Sequence, residues 1–192
     1  MGRKVFRKKK VRAVDMHRLV YLGNAALRTV SRDVKDVMQI VPVVKAMKSI
    51  VGEHQGLGLA GPQVGVNQRF FLMIESIPQD DDTPFTYEAV INPVINSKSA
   101  AVTKDFEGCL SFPGYQGVVS RAEVIDVTYT TLDGRKIENR TLANLHARVF
   151  QHELDHLDGV MFLDKIDMST LIHDDEFRSR DYLDLQMLLK DD

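Results

Sequence analysis

The clearest periodicity in the chain runs from Val37 to Val51. Val37, Ile40, Val41, Val44, Met47, Ile50 and Val51 recur near three- and four-residue spacing, as on one face of a helix. This predicts a helix that ends before Gly56, with Pro42 in its first turn, where a missing N–H costs least. GLGLAGPQVG follows and reads as a glycine-rich loop, then RFFLMIE as a short apolar strand. PQDDDTP reads as a turn or exposed loop. TYEAVINPVI and AEVIDVTYTT read as strands, and in the second Val124, Asp126, Thr128 and Thr130 alternate with Ile125, Val127 and Tyr129. The Asp-Gly of LDGRK turns that strand into KIENRTL. From about Leu142 to Leu157 the period becomes helical, and Gly159 suits the residue just past a helix end. The last twenty residues carry only a weak helical pattern.

Strands joined by short turns, with two main helices, predict an α+β fold. The expectation is a single compact domain, with antiparallel or mixed strands packed around a central helix, plus an N-terminal helix. Residues 1–15 read as a basic, flexible tail, 16–168 as the domain, and 169–192 as a C-terminal segment with some helix. At 192 residues with 44% hydrophobic content, the chain has enough apolar material for a real core. The opening MGRKVFRKKKVR holds seven Lys or Arg and no acid, and reads as a solvated tail.

The formal net charge of −2 gives no argument for a nucleic-acid partner. There is no run of about 18 apolar residues to span a membrane, and no apolar signal region follows the N-terminus. Cys109 is the single cysteine, so no intramolecular disulfide forms and a reducing compartment is the default.

The chemistry concentrates in QHELDHLDG, Gln151 to Gly159. One helical turn puts His152 and His156 on the same face, so both imidazoles can reach one ion. Glu153 is rotated aside, poorly placed as a third ligand and suited to act as general base. Leu145, Val149, His152 and His156 continue one inward stripe, so the expected site is a cleft walled by aliphatic side chains. Inward histidines can also be plain hydrogen-bonded core residues, but two with a glutamate at this spacing favour metal binding.

The third ligand separates the metal-enzyme readings. A protease pattern with a third histidine fails, because Phe162 occupies that position. A second protease pattern needs a downstream carboxylate, and Asp164, Asp167, Asp174, Asp175 and Glu176 offer one by type alone. Upstream, Cys109 in EGCLSFPG offers a thiolate, a strong ligand for zinc or iron(II).

Three stretches then coincide. GLGLAGPQ (56–63), EGCLS (107–111) and HELDH (152–156) resemble, in order, the marks of the peptide deformylase family. The resemblance extends from roughly Met16 to Leu163. It implies metal-dependent hydrolysis of the formyl group from the N-formylmethionine of new polypeptides, releasing formate. It implies Cys109, His152 and His156 as metal ligands and Glu153 as acid/base, with Gln63 and the Leu110 N–H holding the oxyanion. It also implies one divalent ion, iron(II) first, with zinc, nickel or cobalt as alternatives, and an ion pair between Glu107 and Arg121. Leu57, Leu145 and Val149 are candidates for the methionine pocket. Gly56, Gly58 and Gly108 would let a peptide main chain lie close. Nascent N-formylmethionyl chains are the expected partners, with transient ribosome contact, and the cytoplasm is the expected compartment, an organelle the alternative. A metalloprotease or a metal-binding homologue without catalysis would be the competing functions. Gly61 stands where the family has its second alanine, which predicts a looser loop around Gln63.

Overall fold

The computed structural model describes residues 18–77, 80 and 83–189. The basic tail expected at 1–15, and part of the loop at PQDDDTP, lie outside the described residues.

The helix predicted from the first periodic stretch is α1, Val41–Glu53, with Pro42 at its start. Val37 belongs to a separate 3-10 turn ahead of it. The second helix, α2, spans Asn144–Leu157. Five strands form one sheet: β1 (Gly58–Ala60), β2 (Phe70–Ile74), β3 (Tyr87–Lys98), β6 (Val124–Thr130) and β7 (Lys136–Ala143), in the order β1-β2-β3-β6-β7 and antiparallel throughout. A second sheet holds β4 (Val102–Cys109), β5 (Phe112–Ala122) and β8 (Ile172–His173), in the order β4-β5-β8. Two short helices close the described chain, α3 (Asp174–Ser179) and α4 (Tyr182–Met187).

The five-stranded sheet is covered on both faces, which explains why FFLMI is apolar without alternation. Phe70, Leu72 and Ile74 share a core with Val44, Met47 and Val51 of α1. Phe71 and Met73 point the other way, into a core with Ala147, Val149, Phe150 and Leu157 of α2. Burying a side chain of this size contributes roughly 1.5–3 kcal/mol, so the first core holds α1 on one face of the sheet and the second holds α2 on the other. The architecture is the expected α+β domain around a central helix.

Two local readings change. Gly58–Ala60, read as loop, is a strand paired antiparallel with Phe71–Met73. The hairpin of β4 and β5 carried no strand signal, because β4 is mostly exposed and lacks apolar alternation. Its order comes from pairing with β5, from Val102 opposite Ala122 to Cys109 opposite Phe112.

Candidate active site

Cys109 ends β4, and Leu110 and Ser111 form the tight link into β5. α2 crosses behind that link and presents His152 and His156 one turn apart, their ring centroids separated by 5.0 Å. One ligand atom from each of Cys109, His152 and His156 lies within 4.8 Å of the others. Cys109 Sγ is 3.3 Å from His156 Nε2. Donor separations of this size suit the edges of a tetrahedron around one divalent ion, and one thiolate with two imidazoles is a common donor set for such an ion. The residues fit the metal.

His152 is oriented by Glu107, whose Oε2 accepts from Nδ1 at 2.9 Å, leaving Nε2 to face the cluster. Glu107 is itself saturated. Arg121 donates to both its oxygens, Nε to Oε1 at 2.9 Å and Nη2 to Oε2 at 2.8 Å. Arg148 adds Nη1 to Oε1 at 2.7 Å. Burial opposes the Glu107 charge, but hydrogen bonds from Arg121 and His152 outweigh it and hold the carboxyl well below the usual range. Arg121 also pairs with Asp155, which takes Lys165 Nζ at 2.7 Å. The Glu107–Arg121 pair implied by the resemblance is therefore made, and both side chains are buried.

Glu153 is buried and its Oε2 has no hydrogen-bond partner. Burial pushes its carboxyl up to about 7, close to where a general acid/base is most effective at neutral pH. It packs on Gly58, where a Cβ would come within 2.5 Å of Glu153 Oε1. The side-chain direction at Gly58 is thus taken by Glu153, while its backbone still borders the cavity. Gly108 differs, since a Cβ there would make only ordinary contacts at 3.5 Å.

Gln63 sits in a buried 3-10 turn, Gly61–Val64. Its Oε1 accepts from Ala60 N–H at 2.7 Å, which turns Nε2 toward Cys109 Sγ, 3.5 Å away. The loop is not loosened by Gly61. That residue is buried, and a Cβ there would lie 2.7 Å from the Val66 carbonyl oxygen. Glycine allows closer packing here, which is the opposite of the expected slack. The segment from Val20 to Leu22 ties both walls together: Val20 N–H donates to Gln63 O and Leu22 N–H to Ser111 O, each at 2.9 Å.

A cavity of about 470 Å³ opens on this centre. Leu57, Gly58, Gly108, Leu145 and Val149, all expected to contact substrate, line it. Gln63, Cys109, Leu110, His152 and Glu153 line it as well. Sequence reasoning missed Arg148 and Asp155. A faint signal existed for Arg148, a charge on α2 one turn before His152 inside an otherwise apolar stretch. The downstream carboxylates of the protease reading do not enter the three-donor cluster among the described residues.

Fold and site together define a metal-dependent hydrolase. The polypeptide deformylase family matches residues 16–171. A peptide deformylase 2 from Nostoc sp. is 36% identical over 153 residues, covering 78% of this chain and 85% of the relative. A peptide deformylase from Roseiflexus castenholzii is 44% identical over 125 residues, covering 60% of this chain and 68% of the relative. Among solved structures, peptide deformylase from Thermotoga maritima superposes with a TM-score of 0.69 at 36% identity, covering 79% of this chain and 98% of that one. A class I type b peptide deformylase from Acinetobacter baumannii, solved with Met-Ala-Ser bound, gives a TM-score of 0.70 at 30% identity, covering 79% and 98%. The chain belongs to the polypeptide deformylase family. Its activity is metal-dependent removal of the formyl group from N-formylmethionine at the start of new polypeptides. No described helix is long and apolar enough to cross a membrane.

Proposed function

We propose that Cys109, His152 and His156 hold the ion and that Glu153, Gln63 and Leu110 carry the deformylation. The observation that carries this reading is Glu153. It is a buried carboxyl whose Oε2 has no hydrogen-bond partner, in the same cavity as a three-donor cluster. A carboxyl so placed costs stability unless a ligand or a proton meets it.

When bound, the ion supplies Lewis acidity, lowering the pKa of water and polarising the formyl carbonyl. Glu153 accepts the proton of the attacking water at its carboxylate and returns it to the nitrogen of the methionine as the C–N bond breaks. Products are formate and a free amine. Charge builds on the formyl oxygen as water adds. The Gln63 Nε2 hydrogens and the Leu110 backbone N–H face that charge, and losing one such donor typically costs about 3–4 kcal/mol. Glu107 keeps the His152 ring fixed by accepting its Nδ1–H.

Leu57, Leu145 and Val149 form the apolar wall for the methionine side chain, worth roughly 1.5–3 kcal/mol on burial. The peptide beyond it extends past Gly108 along the cavity, as a bound Met-Ala-Ser would require. The resident ion is iron(II), with zinc, nickel and cobalt as substitutes. Nascent chains bring the enzyme into transient contact with ribosomes, and it works in the cytoplasm. Formate release from formyl-Met-Ala-Ser by iron- or nickel-loaded protein tests the reading. Absence of formate from fully loaded, folded protein would refute it.

A further inference from the structure

Arg148 lies on α2 one helical turn ahead of His152, and it is buried. Its Nη1 donates to Glu107 Oε1 at 2.7 Å and to Val119 O at 3.0 Å. Its Nη2 donates to Thr103 O at 2.8 Å and to Thr103 Oγ1 at 3.2 Å. These acceptors sit at two levels of β4 and one of β5. β4 ends in Cys109, while α2 carries both histidines. Arg121 makes a second tie from β5 to α2, at Asp155, on the far side of His152. The hairpin and the helix are therefore pinned on both sides of His152.

We propose that Arg148 is a positioning residue that sets the gap between β4 and α2, and through it the residence time of the ion. This rests on the reading of Cys109, His152 and His156 as ligands. A guanidinium is a rigid planar fork, so four directed bonds fix both the distance and the orientation of the two elements. Metal coordination tolerates errors of only about 0.2 Å in ligand distance. Cys109 comes from a different element than the histidines, so a small drift of the hairpin acts directly on the cluster. Lysine would keep the charge but could not span Glu107, Val119 and Thr103 together.

The test uses the full chain loaded with nickel or zinc, as wild type, Arg148→Gln and Arg148→Lys. Metal release into excess chelator is followed alongside circular dichroism, melting of the metal-free proteins, and kcat and KM. Both variants are expected to release the ion faster by about 10–100-fold, the usual effect of losing a residue that supports a ligand. KM should move much less than the release rate. Equal release rates in a folded variant and wild type would overturn the proposal, even if melting drops, because that pattern describes a purely structural arginine. Full recovery of the wild-type rate by Arg148→Lys would also overturn it, since charge alone would then suffice. Where Arg148→Gln fails to fold, Arg148→Lys decides, because it leaves the Glu107 charge compensated. A wild-type chain that retains no ion would refute the ligand assignment itself, a distinct result.

Discussion

Glu153 rests directly on the backbone of Gly58, so closely that a Cβ at residue 58 would fall 2.5 Å from Glu153 Oε1. The glutamate of α2 packs on the glycine of β1, so any side chain at residue 58 would displace it. In Gly58→Ala the Glu153 carboxyl has to move, while Cys109, His152 and His156 are untouched. Turnover should fall on the order of 10²-fold, the scale of a misplaced catalytic group. Metal content should stay at one ion per chain. Metal analysis and steady-state kinetics on the same sample check this, and near-normal turnover would mean the contact has no catalytic weight.

Glu153→Gln separates holding the ion from using it. Size and helix propensity are kept, and only the proton acceptor is lost. Turnover of formyl-Met peptides should drop by roughly 10²–10⁴, with metal content and melting little altered. A variant that turns over at the wild-type rate with its ion in place would show that another group moves the proton.

Cys109→Ser replaces a thiolate with a neutral hydroxyl, a far poorer ligand. Metal content after purification should fall sharply, and activity with it. The β4–β5 hairpin should persist, since its ladder runs from Val102 opposite Ala122 and does not depend on the thiol. Full occupancy of the variant, measured by elemental analysis, would remove Cys109 from the ligand set.

Stripping the ion with a chelator should abolish activity and lower the melting temperature. An ion present at a thousandfold excess over its Kd contributes about 4 kcal/mol, which corresponds to a shift on the order of 10 °C for a chain of this size. The ligands come from a hairpin and a helix far apart in sequence, so the ion cross-links them. Re-adding nickel should restore both properties. Melting curves that coincide with and without metal would argue that the cluster does not bind it.

Gly61→Ala should destabilise the protein by roughly 1–3 kcal/mol, the usual range for overpacking. The added methyl would meet the Val66 carbonyl at 2.7 Å and the Phe70 ring at 3.0 Å. Denaturant titration measures the loss. A neutral or stabilising result would show that the turn carrying Gln63 yields more easily than its packing implies.

The sequence by itself determined the two long helices, most strands of the larger sheet and the family. Those signals are local: a 3.6-residue period in α1 and α2, alternation in β6, and motifs whose members sit within a few residues of each other. The pairing of Glu107 with Arg121 was also legible, through the resemblance, and it is made. Tertiary structure alone decided the rest. The β4–β5 hairpin has an exposed first strand without apolar alternation, so its order arises from pairing between strands. Arg148 gave only a faint local signal, because buried arginine is tolerated only with partners. Its partners Glu107, Val119 and Thr103 stand 41, 29 and 45 residues away. At Gly61 flexibility was the expectation, yet the Val66 carbonyl and the Phe70 ring close on it, so that a Cβ would meet them at 2.7 and 3.0 Å. Local period reports which face of an element is buried, but what meets that face is set by residues distant in the chain, and at this site those distant contacts place the ligands and the base.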